Sequence, residues 1–246
     1  MGQHCELMVK EFKVSRERQD QFALSSHRRA AAARSFLAPQ IIPVGTVHRD
    51  TLIREDSSIE ALRTLSPAFD RSASGTITPG NSSPLTDGAA ALTVISPALE
   101  GKIIPDAYLV DFEFVGVDPT GGLLMGPGKA MLRLLQRHRL RWSHFDYIDV
   151  HEAFAGQVLC NVDAVNLPEY RQGRYGVSYD AGPLDEKTLN PWGSSLAYGH
   201  PFGATGARMI NQAIAYLSAM NKKKALLGIC TAGGLAGSAL ILRELS

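Results

Sequence analysis

Between Pro105 and Leu242, apolar runs of strand length alternate with segments of helical period, and that alternation most restricts what this chain can become. AYLVDFEFVGV (107–117) reads as a strand, a helix follows near Ala130–His138, and FDYIDV (145–150) reads as a strand leading into a helix from Glu152 to about Ala164. After a polar stretch containing Gly and Pro (168–193) come a helix Ala204–Ala219, a strand ALLGIC (225–230) and a last strand SALILRE (238–244). Strands alternating with helices predict an α/β layer around a mixed or parallel sheet. The Ala204–Ala219 helix is the clearest element, because Ala207, Ile210, Ile214 and Leu217 recur on one face at helical spacing.

The first third is organised differently. Ser15 fits an N-cap, Glu17 lies in the first turn behind it, and residues 15–34 run without Pro or Gly through an alanine-rich stretch, so one helix is expected there. From Leu37 to Asp87 the prolines 39, 43, 67, 79 and 84 and the glycines 45, 75 and 80 predict a loop-rich region with a short helix at Ser58–Leu65. GAAALTVIS (88–96) reads as a buried strand, although such a short apolar run is equally compatible with a helix.

Charge and cysteine content narrow the classes of function. Lys plus Arg number 25 against 24 Asp plus Glu, scattered apart from runs such as Lys222-Lys223-Lys224, so the field that a nucleic-acid or membrane surface requires is lacking. The basic run HRRAAAAR (27–34) reads as a solvated helix face. Cys5, Cys160 and Cys230 are an odd number at wide spacing with no CxxC pair, which predicts neither a disulfide framework nor a zinc site and suits a reducing compartment. No run reaches the roughly 18 apolar residues of a membrane span, and the N-terminal residues lack a signal-peptide pattern.

Three junctions carry candidate chemistry. His200, in GHP (199–201), sits in a tight turn just before the Ala204–Ala219 helix, whose dipole would favour the neutral imidazole that a general base needs. A purely structural turn histidine is the alternative. Cys230 ends an apolar strand and leads into TAGG, where two glycines allow close backbone approach to a ligand oxygen. A thiol there suits proton exchange with a carbon acid, and a small buried core cysteine is the alternative. His151 follows the strand FDYIDV as a candidate polar anchor. Polar groups at strand ends of an α/β layer are where such folds place their sites.

The wording of several segments is more specific. MGQHCELMVKEFKVSRERQDQFALSSHRRA (1–30), IREDSSIEALRTLSPAFD (53–70), GTITPGNSSPLTDGAAAL (75–92), GVDPTGGLLMGP (116–127), DYIDVHEAFAGQ (146–157), NPWGSSLAYGHPFGATGARM (190–209) and CTAGG (230–234) resemble, in order, the C-terminal part of a 3-ketoacyl-CoA thiolase. His151, where other thiolases carry asparagine, and the W-G-S-S-L-A-Y-G-H-P wording resemble the long-chain branch found as the β subunit of the trifunctional β-oxidation complex and its bacterial counterparts.

The resemblance implies a thiolase-like layered α/β fold. Residues 1–74 would be part of a loop domain, 75–103 the last segment of the N-terminal half and 104–246 the complete C-terminal thiolase domain. It also implies CoA-dependent thiolytic cleavage of 3-ketoacyl-CoA in fatty-acid β-oxidation, with CoA as substrate and no permanently bound cofactor. In that scheme His200 deprotonates the nucleophilic thiol and helps hold the substrate thioester oxygen, His151 holds a water at the same oxyanion site, and Cys230 shuttles the proton of the acetyl-CoA leaving group and of incoming CoA. Backbone N–H groups around Ala232 and Gly233 form a second oxyanion hole, Ser83 lies near the pantetheine arm and Arg54 near the CoA nucleotide.

One departure weighs against activity of the chain alone. Family thiolases attack with an N-terminal-half cysteine at a helix start, where the thiolate is stabilised. Neither Cys5 nor Cys160 lies in that context. Losing a nucleophile costs on the order of a millionfold in rate, so the expectation is a truncated product or one subunit of a split enzyme, with exposed apolar surface. A non-catalytic remnant or CoA-binding module is the alternative reading. Expected partners are acyl-CoA, a separate N-terminal half, a hydratase/dehydrogenase subunit and a second copy of the chain; the expected location is a bacterial cytoplasm, with the mitochondrial matrix as alternative.

Overall fold

A computed structural model describes every residue except Glu100, Leu245 and Ser246, which fall within the 75–103 and 104–246 spans. Its elements run α1 (Gly2–Glu11), α2 (Arg16–Leu37), α3 (Ile59–Arg63), β1 (Tyr108–Gly116), α4 (Pro119–Gly122), α5 (Gly126–His138), β2 (Tyr147–Val150), α6 (Ala155–Asn166), α7 (Pro168–Gly173), α8 (Ser195–Tyr198), α9 (Ala204–Ala219), β3 (Lys224–Cys230) and β4 (Leu235–Leu242). The strands form one mixed sheet in the order β1-β4-β3-β2. β2 and β3 are parallel, with Val150 opposite Gly228, and the other two pairings are antiparallel.

Strand periodicity sorts the core into two layers. Leu226 and Leu240 pack with Met131 and Leu135 of α5 and with Leu159 of α6, whereas Leu227, Ala239 and Ile241 pack with Met209, Ala213 and Leu217 of α9. Adjacent residues point to opposite faces of a strand, so the sheet is sandwiched between α5 with α6 on one side and α9 on the other. Strands covered on both faces read as continuous apolar runs, which explains ALLGIC. Edge strand β1 is covered less well: Phe112 and Phe114 are 56% and 75% exposed.

The N-terminal helices are held by specific contacts. The Ser15 hydroxyl accepts from the Arg18 N–H and caps α2, which extends past the expected end to Leu37. Ser58 caps the short helix α3 in the same way. Helix α1, not anticipated from sequence, buries Cys5, Met8 and Val9, and an added Cβ on Gly156 of α6 would stand 2.5 Å from Val9 Cγ1, so glycine permits that close approach.

Several expectations require correction. Residues 88–96 form no strand: no described strand pairs with them, and Val94 is 76% exposed, so β-branched content without a partner edge yields no ladder. Helix α5 begins at Gly126, because Pro127 is tolerated in a first turn whose N–H groups lack intrahelical partners. The buried face of α9 centres on Met209, Ala213 and Leu217, with Ile210 and Ile214 at its margin and Ala207 only partly buried.

Candidate active site

Two of the three candidate residues leave the sheet at the same end. His151 follows β2 and donates its backbone N–H to Gly228 O of β3 at 2.8 Å, while Cys230 closes β3 two residues later. Parallel pairing thus sends both out at the carboxyl end of neighbouring strands, the usual position for a site in such sheets. His200 arrives by another route, from the turn between α8 and α9 and not from a strand end. Gly199 makes that turn with φ of 87°.

A short strap ties the two histidine loops together. Ser83 donates its backbone N–H to Ala153 O at 3.0 Å and its hydroxyl to the same carbonyl at 3.1 Å; Pro84 O accepts the His200 N–H at 3.0 Å. The imidazoles of His151 and His200 consequently lie with ring centroids 4.4 Å apart.

Burial sets the protonation of all three groups. His151 is held neutral to well below its ordinary range by burial, reinforced by the nearby His200 and the Arg208 guanidinium. The same direction applies to half-buried His200, through burial first and Arg208 second. Both are therefore neutral near pH 7; for His200, where the helix dipole was invoked, burial and Arg208 account for the direction. Burial pushes the Cys230 thiol up to about 12, so it rests as a protonated thiol. The remaining His200 nitrogen is fixed by a 2.8 Å hydrogen bond between Nδ1 and Thr205 Oγ1.

The loop after Cys230 needs its glycines. Gly233 and Gly234 have φ of 79° and 77°, and a Cβ on Gly234 would stand 2.8 Å from Val117 O. Ala232 and Gly233 are exposed there. Arg54 lies apart on the loop-rich segment, its backbone N–H donated to His27 Nδ1 at 3.2 Å. Cys5 and Cys160 are fully buried in the α1–α6 core, and burial raises both thiols far above their ordinary value.

Sequence reasoning missed the polar support of this site. Glu152, beside His151, is fully buried; Oε1 accepts from Asn190 Nδ2 at 2.7 Å, and Oε2 accepts from the Ser26 hydroxyl at 2.7 Å and the Leu196 N–H at 3.0 Å. It thereby joins α2, the 190–196 loop and the start of the His151 loop. Ser195 Oγ lies 2.8 Å from His151 Nδ1, and Arg208 Nη2 reaches that same hydroxyl at 3.1 Å. All lie inside segments whose wording was distinctive, but only contacts between distant residues assign them a job.

Burial outweighs the three donors and pushes the Glu152 carboxyl up to about 7. Between its ordinary value of 4.5 and about 7 the folded chain holds a proton that the unfolded chain releases. Stability from this group is therefore full below about pH 4.5 and falls as pH rises through 7, by on the order of 3 kcal/mol in total. Glu152→Gln is expected to flatten that slope in thermal melts followed by circular dichroism from pH 4.5 to 8. Equal slopes in both proteins would mean that the carboxyl is ionised throughout.

The model for the thiolase C-terminal domain matches residues 103–244, and that for the thiolase N-terminal domain matches residues 1–98. The 3-ketoacyl-CoA thiolases of Shigella flexneri serotype 5b (strain 8401) and Escherichia coli (strain K12 / MC4100 / BW2952) are each 39% identical over 255 residues, covering 98% of this chain and 57% of theirs. The chain thus spans just over half the length of these curated relatives. Among solved structures, the Bacillus anthracis acetyl-CoA acetyltransferase superposes with a TM-score of 0.85 at 30% identity, over 98% of this chain and 59% of that one. Human mitochondrial 3-ketoacyl-CoA thiolase, crystallised in complex with CoA, gives 0.84 at 27% identity over 100% and 59%.

Proposed function

The chain belongs to the thiolase family, and from that premise we propose that these residues supply the acid/base half-site for CoA-dependent thiolytic cleavage of a 3-ketoacyl-CoA. The observation carrying this reading is the neutral His151–His200 pair, 4.4 Å between ring centroids, at the carboxyl end of the parallel strands β2 and β3, the second of which terminates in the protonated Cys230 thiol.

Each group has a chemical task. His200, neutral, takes the proton of the attacking thiol and then, with His151, faces the oxygen that becomes negative. Attack at the 3-keto carbon breaks the bond between C2 and C3, leaving the electron pair on C2 of the departing acetyl-CoA. The Cys230 thiol donates its proton to that carbon; a thiol held near 12 is matched to a weakly acidic carbon far better than a free one. The resulting thiolate recovers a proton from incoming CoA, whose sulfur attacks the thioester carbon; the bond to the nucleophilic sulfur breaks, that sulfur leaves as a thiolate and takes back the proton held by His200, and a shortened acyl-CoA departs. Backbone N–H groups at Ala232 and Gly233 stabilise the oxyanion on that side. Ser83, on the strap beneath His200, lies near the pantetheine arm, and Arg54 near the CoA nucleotide.

The attacking thiol is not Cys5 or Cys160, both buried in the core. It comes from a nucleophile-bearing N-terminal half, either continuous with these residues in one polypeptide or a separate chain. The same reading places residues 1–74 in a loop domain, 75–103 at the end of the N-terminal half and 104–246 in the C-terminal domain. Among the described residues no helix is long and apolar enough to cross a membrane, and we place the reaction in a bacterial cytoplasm, with a hydratase/dehydrogenase subunit and a second copy of the chain as partners.

The test is thiolysis of acetoacetyl-CoA and of a long-chain 3-ketoacyl-CoA by the purified 246 residues, alone and mixed with the nucleophile-bearing half. Turnover only in the mixture is expected. Robust turnover by the 246 residues alone would contradict the assignment of the nucleophile, and silence in the mixture would favour a CoA-binding remnant.

A further inference from the structure

We infer that Arg208, acting through the Ser195 hydroxyl, is a positioning residue that locks His151 in the tautomer carrying its proton on Nε2. Ser195 is fully buried, and its Oγ has two partners among the described residues: His151 Nδ1 at 2.8 Å and Arg208 Nη2 at 3.1 Å. A guanidinium is a permanent donor with no acceptor. Ser195 must therefore accept from Arg208, and its single hydrogen is left for His151 Nδ1. If Nδ1 bore a proton instead, two donors would converge on Oγ and the buried hydroxyl hydrogen would have no acceptor, an arrangement that folded proteins avoid. Nδ1 is thus an acceptor, and the neutral ring keeps its hydrogen on Nε2.

Arg208 is itself held from several sides. Its Nη1 donates to Gln212 Oε1 at 2.9 Å and lies 3.9 Å from the buried Asp149 carboxylate, Nη2 also reaches Ser194 Oγ at 3.2 Å, and the guanidinium covers the Tyr198 ring at 5.6 Å. Asp149 in turn accepts from the Tyr147 hydroxyl at 3.0 Å. A cation fixed in this way commits Ser195, and Ser195 commits His151. Burial and the neighbouring Arg208 charge also disfavour a second proton on that ring, which would erase the distinction between the two nitrogens.

The consequence deepens the proposed thiolase reading, on which it rests for its catalytic meaning: His151 presents a permanent N–H donor to the oxyanion side without needing to titrate. Its test does not depend on turnover. In the 246-residue chain labelled with 15N-histidine, with the His151 signals assigned by their loss in His151→Gln, two-bond nitrogen–proton correlation spectra near pH 7.5 report which nitrogen is protonated. The expected result is a pyridine-type shift for Nδ1 and a pyrrole-type shift for Nε2. Ser195→Ala and Arg208→Met should both move His151 toward a mixture of tautomers, while Ser195→Thr, which keeps the hydroxyl, should restore the single form. A pyrrole-type Nδ1 in the unsubstituted chain would overturn the inference whatever the variants do. So would an unchanged Nε2–H form in folded Ser195→Ala or Arg208→Met. Failure of thiolysis with an intact Nε2–H signature would count against the functional reading and leave this inference standing.

Discussion

His200→Ala is expected to lower thiolysis by about 10⁴-fold in the assembly that contains the nucleophile-bearing half. Two contributions are lost together. General-base catalysis is worth about 10²–10⁴-fold, and removing one oxyanion donor costs about 10²–10³-fold; the two share one ring, so they do not simply multiply. His200 is half-buried, its backbone N–H is tied to Pro84 O and its Nδ1 to Thr205 Oγ1, so truncation empties a defined position without unseating the core. The loss should fall on kcat more than on KM, because substrate contacts elsewhere persist. Stopped assays with acetoacetyl-CoA measure it, and a decrease of less than tenfold would mean that another group takes the proton.

Gly193→Ala is expected to destabilise the chain by about 2–5 kcal/mol, from roughly 1–2 for a left-handed backbone carrying a Cβ and 1–3 for overpacking. Gly193 has φ of +72°, and an added Cβ would lie 2.5 Å from Ser26 O and 3.0 Å from Ala30 N, both backbone atoms of α2. Backbone cannot yield as a flexible side chain tip does. The same residue begins the loop that carries Ser194 and Ser195, and its carbonyl accepts from Gln212 Nε2 of α9 at 2.7 Å. Relief of the clash would therefore separate α2 from the loop that supports His151. At 2–4 °C per kcal/mol for a chain of this size, the midpoint should drop by about 10 °C. Gly203→Ala is the control, since Gly203 has no atom within 4 Å of an added Cβ and an ordinary φ of −62°. A midpoint for Gly193→Ala equal to that control would refute the packing argument.

How legible the fold was depended on whether one element's own residues carried the signal. Helix α9 and strand β3 were readable almost to the residue, because apolar period and flanking turns agreed. Helix α1 was not, since its pattern is broken where tertiary contacts decide: Glu6 is 2% exposed because it accepts the Thr76 and Ile77 N–H groups at 2.9 and 2.8 Å, while Leu7 is 61% exposed. The 88–96 run had strand composition, but strand composition cannot supply the neighbouring edge.

The site divides along the same line. His151, His200 and Cys230 stood out at junctions and in distinctive wording, and the fold brings the two imidazoles together at the strand end where Cys230 emerges. Glu152, Ser195 and Arg208 lie beside those residues in sequence, yet their roles come from contacts spanning 13 to 126 positions, and no local spacing encodes them. The three cysteines make the point most sharply: all three are buried with raised thiols, so only their place in the fold, Cys230 at the end of β3 against Cys5 and Cys160 in the α1–α6 core, separates them.

The decisive measurement is thiolysis of a 3-ketoacyl-CoA in the assembly with the nucleophile-bearing half, comparing Cys230→Ala with Cys5→Ala and Cys160→Ala. Loss of at least about 10²-fold is expected for Cys230→Ala, the scale of a general acid–base group, with near-normal turnover for the two core substitutions once each protein is shown to be folded. Retained turnover in Cys230→Ala, or its loss in a folded Cys5→Ala or Cys160→Ala protein, would contradict the assignment of Cys230 as the acid of this half-site.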